Sequence, residues 1–459
     1  MRQIVFLILI LLAVFELFGR LGNGVLYWDE AIYAQVSKEM IETGSWLTPH
    51  WNGHQWFQKP PAYFWATALL FRLFAASEFW ARAASALSGV GVVVVSYLIA
   101  RLIHNHAAGV LACLILLSSE LFIFYARFGT TDTMLAFVVL LAVYGYLRAE
   151  EDDRWWLLAG AGCGLALMVK GAAGVIAPGT LALAVLVDGR TRLAFRSKWL
   201  WTGIVCAALI VIPWHALMFS LHGRSFLEGY LFQNVLDRAK GNLNEYQRGY
   251  SYYLRVLWEF FSPWVYLLPF ALIFDRPARS KVLLILAALV MCLYTLVQTK
   301  FQWYIGPAIP AFSVIIGGFI SKRLENRPRT HQRLAILAVA LLWFAGTAAV
   351  LSRISGREPE MEAAARLAKL SARDKGGIVA YPENLEMTVK YYSGRKLCTD
   401  PVLSTLSHSE LTECVQEEAT HIIFRKIDLA KVETRFKLEP LTRYEALMYA
   451  RIEQDSLSP

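Results

Sequence analysis

The sequence predicts an all-α membrane protein of about eleven spanning helices followed by a small α/β domain, and three observations carry that prediction. Hydrophobic residues make up 56% of the 459 and charged residues only 18%, where a soluble domain carries about a quarter charged. Apolar blocks of spanning length recur between residues 4 and 351, broken by short polar stretches. From Arg353 onward the composition is that of an ordinary soluble domain.

In order, the candidate spans are 3–20, 79–102, 107–126, 134–149, 155–170, 171–187, 199–219, 262–275, 282–298, 304–320 and 334–352. They lie near the roughly 17–25 residues that cross a hydrocarbon core. The block 262–275 contains Pro263 and Pro269, so a kink or tilt is expected there. The first block is followed by no small-residue cleavage site before Asp29-Glu30, which makes it a spanning helix rather than a signal peptide. The expected domains are 1–352, with a first external loop over 21–78, and 353–459. In the latter, helices are expected over 358–373, 385–392 and 410–417, with strands over 378–381 and 422–425.

The net charge of +9 does not reflect a nucleic-acid patch, because the basic residues are spread among the loops between apolar blocks. One segment decides the topology. Residues 61–76 are apolar but short, with Arg72 near the end. If they do not span, Arg2, Arg101, Arg148, Arg154, the 190–198 cluster, Arg276, Arg279, Lys281 and the 322–333 run all fall on one side. That side is the cytoplasm by the positive-inside rule. If they span, every later basic loop moves outside while Arg2 stays in. The segment is therefore read as an interfacial helix, with the N-terminus cytoplasmic and 353–459 external. Cys113, Cys163, Cys206 and Cys292 lie in apolar blocks as small core residues, while Cys398 and Cys414 suit either a disulfide or two free thiols.

The external face then collects the polar residues of interest. Asp29 and Glu30 directly follow the first span, where a carboxylate pair beside hydrocarbon is costly. The plainer reading is that Asp29 caps a helix starting near Ala31. Lys59 precedes Pro60-Pro61, which suit a helix start and aim the lysine at the headgroup layer. Its plainer reading is a lysine snorkelling to lipid phosphates. Arg127, Arg238 and Lys300 add cations on three further loops, Asp132 opens a spanning helix where it too would serve as a cap, and Lys170 ends one. A cation cluster beside carboxylates suits a reaction in which a phosphate leaves while an acceptor is deprotonated. The histidines, among them His50, His54, His215 and His222, lack the close spacing of a metal helix, so no metal is assigned from them.

Taken together, several stretches resemble a known family. They are Tyr27-Trp28-Asp29-Glu30-Ala31-Ile32-Tyr33-Ala34, Ser37-Lys38-Glu39-Met40, Gly44-Ser45-Trp46-Leu47-Thr48-Pro49 and Phe57-Gln58-Lys59-Pro60-Pro61. Further along come Glu78-Phe79-Trp80-Ala81-Arg82, Ala126-Arg127-Phe128, Thr131-Asp132 and Leu167-Met168-Val169-Lys170-Gly171. Phe232-Gln233-Asn234 with Arg238, Lys300 with Tyr304, Pro307 and Pro310, and Tyr391-Tyr392-Ser393-Gly394-Arg395 complete the series. The chain resembles the bacterial aminoarabinose and protein-mannosyl transferases, polytopic glycosyltransferases of the GT-C fold that use polyprenyl-phosphate sugars.

The resemblance implies an inverting glycosyltransferase in a bacterial inner membrane. It implies a polyprenyl-phosphate sugar donor and a lipid, glycan or protein acceptor on the periplasmic side, reached from among the membrane lipids by a monomer. It implies Asp29 as catalytic carboxylate, with Glu30 and Asp132 beside it. Lys59 and Arg238 then hold the donor phosphate, with Arg127, Lys300 and Tyr304 nearby. One departure stands out. The aminoarabinose transferases have a metal-binding glutamate before the lysine, and this chain has Gln58, whose amide is a poor metal ligand. That puts a divalent-metal cofactor and the aminoarabinose specificity in doubt. A transporter or flippase, the alternative from another class, calls for polar residues near the midplane and an internal repeat, and the sequence has neither. A scaffold or sensor using the external domain is the third reading.

Overall fold

The computed structural model describes residues 2–189, 191–237, 248–274, 278–355, 359–374, 377–381, 385–395, 419–425, 438–444 and 447–452. In chain order the helices begin with α1 (Arg2–Phe18), α2 (Asp29–Thr43), α3 (Ala62–Phe74), α4 (Glu78–Ile103), α5 (His106–Leu117) and α6 (Glu120–Ala126). Next come α7 (Thr131–Arg148), α8 (Trp156–Lys170), α9 (Ile176–Val187), α10 (Thr191–Arg196), α11 (Lys198–Leu227) and α12 (Tyr252–Phe260). The last six are α13 (Leu268–Phe274), α14 (Lys281–Leu296), α15 (Ala308–Leu324), α16 (Arg329–Ser355), α17 (Pro359–Ser371) and α18 (Glu386–Ser393). The chain forms two compact units. One holds Met1–Leu21, Trp56–Ala66 and Arg82–Ile354; the other holds Gly22–Gln55, Thr67–Ala81 and Ser355–Pro459.

In the first unit, the apolar segments contain helices of very different length, such as the 26 residues of α4 and the 7 of α13. The segment 107–126 differs from a straight span: α5 and α6 meet at 72°. The break falls at two serines. Ser119 caps α6 by accepting from Phe122 N–H, and the Ser118 hydroxyl accepts the indole N–H of buried Trp264 at 2.7 Å. The proline-bearing segment 262–275 contains only the short helix α13 after a 3-10 turn. Among the described residues, four helices are long and apolar enough to cross a membrane, or five if the bent pair is one span. The segment 61–76 forms α3, whose 13 residues measure about 20 Å, too short for a hydrocarbon core of about 30 Å.

Ion pairs show which loops share an end of this helical unit. Arg279 pairs with Glu150 at 2.8 Å and Lys281 with Asp188 at 3.6 Å, so the basic loops after α7, α9 and α13 meet. Helix α7 runs from Asp132 to Arg148 and α8 packs along it, ending at Lys170. Asp132 and Lys170 thus lie about 27 Å from those loops, the length of α7.

Helix α8 packs between α7 and α11. Its contact with α11 is backbone to backbone: a Cβ at Gly160 would lie 2.0 Å from the Gly203 carbonyl, and one at Gly203 would lie 2.3 Å from the Trp156 carbonyl. Small residues let two helices approach this closely and gain van der Waals contact where no hydrophobic effect is available.

The second unit unites the first loop with the C-terminal part. Leu26, Ala31, Ala34, Phe71, Ala81 and Tyr391 form one buried cluster. Residues of α2 in the loop 21–78 are thus packed against Tyr391 of α18. Glu39 of α2 accepts from Gln35 and from the Asn52 and Gly53 N–H groups at 2.8, 3.0 and 3.1 Å. Asn52 and Gly53 have φ of 55° and 81°, making the two-residue turn between β1 (His50–Trp51) and β2 (His54–Gln55).

A four-stranded sheet is ordered β3 (Gly377–Tyr381), β4 (Ala419–Arg425), β6 (Leu447–Ile452) and β5 (Leu438–Tyr444). The β3–β4 pair is parallel and the rest antiparallel. Two of these strands, β5 and β6, have no counterpart in the sequence prediction. β5 is an edge strand with a register shift at Pro440, and the proline masks the strand pattern while being tolerated at an edge. The expected helix 410–417, Cys398 and Cys414 lie outside the described residues.

The glycine contact yields a test. Gly203→Val should force α8 and α11 apart and cost about 2 kcal/mol or more. A lowered melting temperature in detergent with unchanged helicity is the expected result.

Candidate active site

Three segments of the first unit converge. Phe57, two residues before Lys59, packs with Met168 of α8 and with Trp214, Met218 and Phe226 of α11. Lys59, Pro60 and Pro61 are buried, and α3 starts immediately after them, as the proline pair predicts. Tyr63 of α3 shares a hydrogen bond with Ser85 of α4 at 3.0 Å, and Ser85 donates to the Thr130 carbonyl at 2.9 Å. The lysine-bearing segment, the second loop and the end of α8 are thus held as one packed group.

Within it, Asp132 in the first turn of α7 forms an ion pair with Lys170 in the last turn of α8. Their side chains are only 7% and 8% exposed. The capping position of α7 is Thr130, so the capping reading of Asp132 gives way to a buried pair. Each charge also favours its own helix end, the carboxylate at an N-terminus and the ammonium at a C-terminus. The Lys170 ammonium lies 5.2 Å from the centroid of the Tyr304 ring, which in turn lies tilted against Tyr294 with centroids 4.8 Å apart. Beside the pair is a narrow cleft of about 20 Å³ lined by Tyr125, Asp132, Thr133, Trp303, Gly306 and Ile309. Lys170 is the functional candidate that had no role assigned from sequence. Its one local signal is a cation ending an apolar run just before Gly171, whose φ of 56° breaks the helix.

Two expected phosphate ligands, Arg127 and Lys300, donate to backbone carbonyls. Arg127 is buried, and its terminal nitrogens donate to the carbonyls of Glu16, Leu17 and Gly19, the last at 2.7 Å. These are carbonyls left unpaired at the C-terminus of α1, so the guanidinium acts as a clamp on that helix end. The Lys300 ammonium donates to the Val297 carbonyl and lies 5.8 Å from the Tyr250 ring centroid. Burial pushes its pKa below the usual lysine value. Arg238 lies outside the described residues.

Asp29 and Glu30 belong to the second unit. Glu30 is fully buried. Asp29 is the first residue of α2 and half-buried, and the position before the helix is taken by Trp28 with no side-chain cap. Capping therefore does not account for Asp29. Among the described residues its carboxylate has neither a hydrogen-bonding nor an ionic partner. Trp28 has φ 50° and ψ −138°, a strained conformation for a residue with a side chain.

The donor set can be compared with what a divalent metal needs. Gln58 offers an amide, and among the described residues no three His, Cys, Asp or Glu side chains are grouped to hold an ion. His215 engages Val211 O and Tyr230 Oη, each at 2.9 Å.

Comparison with known proteins gives a consistent result. Residues 58–216 match the family described as dolichyl-phosphate-mannose-protein mannosyltransferase. The undecaprenyl phosphate-alpha-4-amino-4-deoxy-L-arabinose arabinosyl transferase 1 of Pseudomonas fluorescens strain Pf0-1 is 28% identical over 356 residues, covering 72% of this chain and 62% of that protein. Its counterpart in strain Pf-5 is 31% identical over 330 residues, with coverage of 69% and 60%. The chain thus matches about three fifths of the length of these relatives. In structure, ArnT from Cupriavidus metallidurans bound to undecaprenyl phosphate superposes with a TM-score of 0.80, covering 99% of each chain at 20% identity. The oligosaccharyltransferase AglB from Archaeoglobus fulgidus, in complex with an inhibitory peptide and a dolichol-phosphate, gives 0.59 at 14% identity over 98% of this chain and 74% of that one. The mostly helical GT-C fold and the resemblance to the aminoarabinose and mannosyl transferases are borne out.

The Asp132–Lys170 pair generates a prediction. Asp132→Asn or Lys170→Met alone leaves one buried charge uncompensated and should destabilise by about 3 kcal/mol. The double variant should recover much of that loss. Denaturant melts of the four proteins in a double-mutant cycle check the coupling, and additive losses would show the pair to be uncoupled.

Proposed function

We propose, for a chain that shares its fold and its ordered motifs with the polyprenyl-phosphate sugar transferases, that it is itself such a transferase, moving a sugar to a cell-envelope acceptor. The observation that carries this reading is the TM-score of 0.80 over 99% of the chain, joined to the buried Asp132–Lys170 pair and the buried Lys59 of the helical unit. About eleven spans, a cytoplasmic N-terminus and a periplasmic C-terminal part complete it. The basic loops bound together at one end of α7 support that orientation.

The donor is a lipid-linked sugar of the undecaprenyl-phosphate type, entering sideways from the outer leaflet with its chain between helices. Lys59 and Arg238 neutralise the phosphate, and the Asp132–Lys170 pair with Tyr304 fixes the helix ends around it. Asp29 takes the proton from an acceptor hydroxyl, or orients an acceptor that is already an anion. The acceptor oxygen attacks the anomeric carbon from the face opposite the phosphate. The bond from that carbon to the phosphate oxygen breaks, and the polyprenyl phosphate leaves with the electron pair. One displacement inverts the anomeric configuration. The positive groups stabilise charge that grows on the leaving phosphate in the transition state, which is where electrostatic stabilisation accelerates a reaction most.

Two measurements test the reading. Mass spectrometry of envelope lipids with and without the chain should reveal one lost increment that names sugar and acceptor class together. Asp29→Asn should abolish that increment in a protein that still folds and inserts, a loss of at least about 100-fold for a missing general base. Full transfer by that variant would remove Asp29 from the mechanism. Lys59→Ala should chiefly weaken retention of undecaprenyl phosphate.

A further inference from the structure

The sequence between α1 and α2 is held by a helix more than 360 residues away. Leu26 is fully buried, and both of its backbone groups are taken by α18. Its N–H donates to the Tyr392 hydroxyl at 2.9 Å, and its carbonyl accepts from the Thr388 hydroxyl at 3.1 Å. Thr388 and Tyr392 are four residues apart and share one face of that helix. The Tyr392 hydroxyl donates onward to Glu78 Oε1 at 3.0 Å. Lys369 of α17 stands 3.7 Å from the same carboxylate oxygen and 4.5 Å from the Tyr392 ring centroid. A single phenol oxygen therefore joins the first loop, the start of α4 and the C-terminal part.

Only Tyr27 and Trp28 separate this grip from Asp29. Trp28 is the strained residue, and such a conformation costs about 1–3 kcal/mol and persists only where the surroundings over-determine it. The surroundings do so from both sides. Upstream is the Leu26 tether; downstream, the Trp28 carbonyl accepts from Ala31 and Ile32 N–H at 3.0 and 3.2 Å. Among the described residues Asp29 has no bond of its own, and the turn held at Leu26 and Trp28 carries it.

We propose that Tyr392 and Thr388 are positioning residues for Asp29: the C-terminal helix grips Leu26 and thereby fixes the strained turn that presents the catalytic carboxylate. This rests on the reading of Asp29 given above and assigns the C-terminal part a role within the reaction. Burial and the neighbouring Glu78 push the Tyr392 pKa upward, so its hydroxyl stays a donor throughout the working pH range.

The test uses the full chain in lipid nanodiscs and Tyr392→Phe, which removes only the hydroxyl. Three quantities are read: hydrogen exchange of the 22–29 peptide, retention of undecaprenyl phosphate, and the envelope mass increment formed per unit of protein. The expected result is exchange about tenfold faster in that peptide and transfer about tenfold slower, the loss of one ordinary hydrogen bond. Undecaprenyl phosphate retention should stay within about twofold, which a general loss of structure would not allow. Thr388→Val, which cuts the other half of the grip, should give the same pattern and serves if Tyr392→Phe misfolds. Unchanged exchange, or faster exchange with undiminished transfer, overturns the positioning role. Asp29→Asn run in parallel separates the two failures. Full transfer in that variant defeats the reading of Asp29 itself, whereas an inactive Asp29→Asn beside a fully active Tyr392→Phe defeats only the tether.

Discussion

A charge placed at a helix end beside hydrocarbon must be answered by another group of the protein, and that constraint organises the helical unit. Water is scarce there, so an unanswered ion costs several kcal/mol. The structure answers each cation differently. Lys170 meets a carboxylate and an aromatic face, Arg127 meets three carbonyls, and Lys300 meets one. In every case the partner comes from a helix terminus, because a terminus is where backbone carbonyls and a dipole end are left over. The polar chemistry is thereby confined to one end of α7 and α8, and the rest of their length is free to pack by small residues.

That economy also explains what the sequence made legible. Helices were readable because the demand for apolar runs of spanning length is severe and local. The shortness of α3 was readable because the apolar run 61–76 itself is short. Pairings were not. Asp132 and Lys170 are 38 residues apart, and each alone looks like a cap or a snorkelling lysine. Arg127 looks like a phosphate ligand until the end of α1 is seen to pass beside it. β5 was hidden by Pro440, and only the position of the strand at the sheet edge explains why the proline is tolerated. The tether between Leu26 and Tyr392 spans 366 residues and leaves no periodicity to read.

The division of the chain follows the same logic. The first loop places a strained residue, Trp28, directly before the catalytic candidate Asp29, and a strained turn persists only where its surroundings hold it. Helix α2 supplies part of that support through Glu39, which fixes the Asn52-Gly53 turn, and through the cluster it shares with Tyr391. The C-terminal part is then not an appendage on a finished helical domain. It completes the fold of the loop.

Glu16 bears on the choice between an enzyme and a carrier. It is a carboxylate within α1, and an ionisable residue in a spanning segment is the usual mark of a transport pathway. A carrier's carboxylate must release its partners and meet ligand from each side in turn. Glu16 is 2% exposed and accepts from Trp343 Nε1 at 2.9 Å and Thr347 Oγ1 at 2.7 Å, both on α16. Its own backbone carbonyl is held by Arg127. A group bonded at both oxygens and locked through its main chain is suited to fastening α1 to α16. It fixes the helix from which the first loop departs, and such rigidity serves a site that must hold reacting groups in place better than one that must alternate.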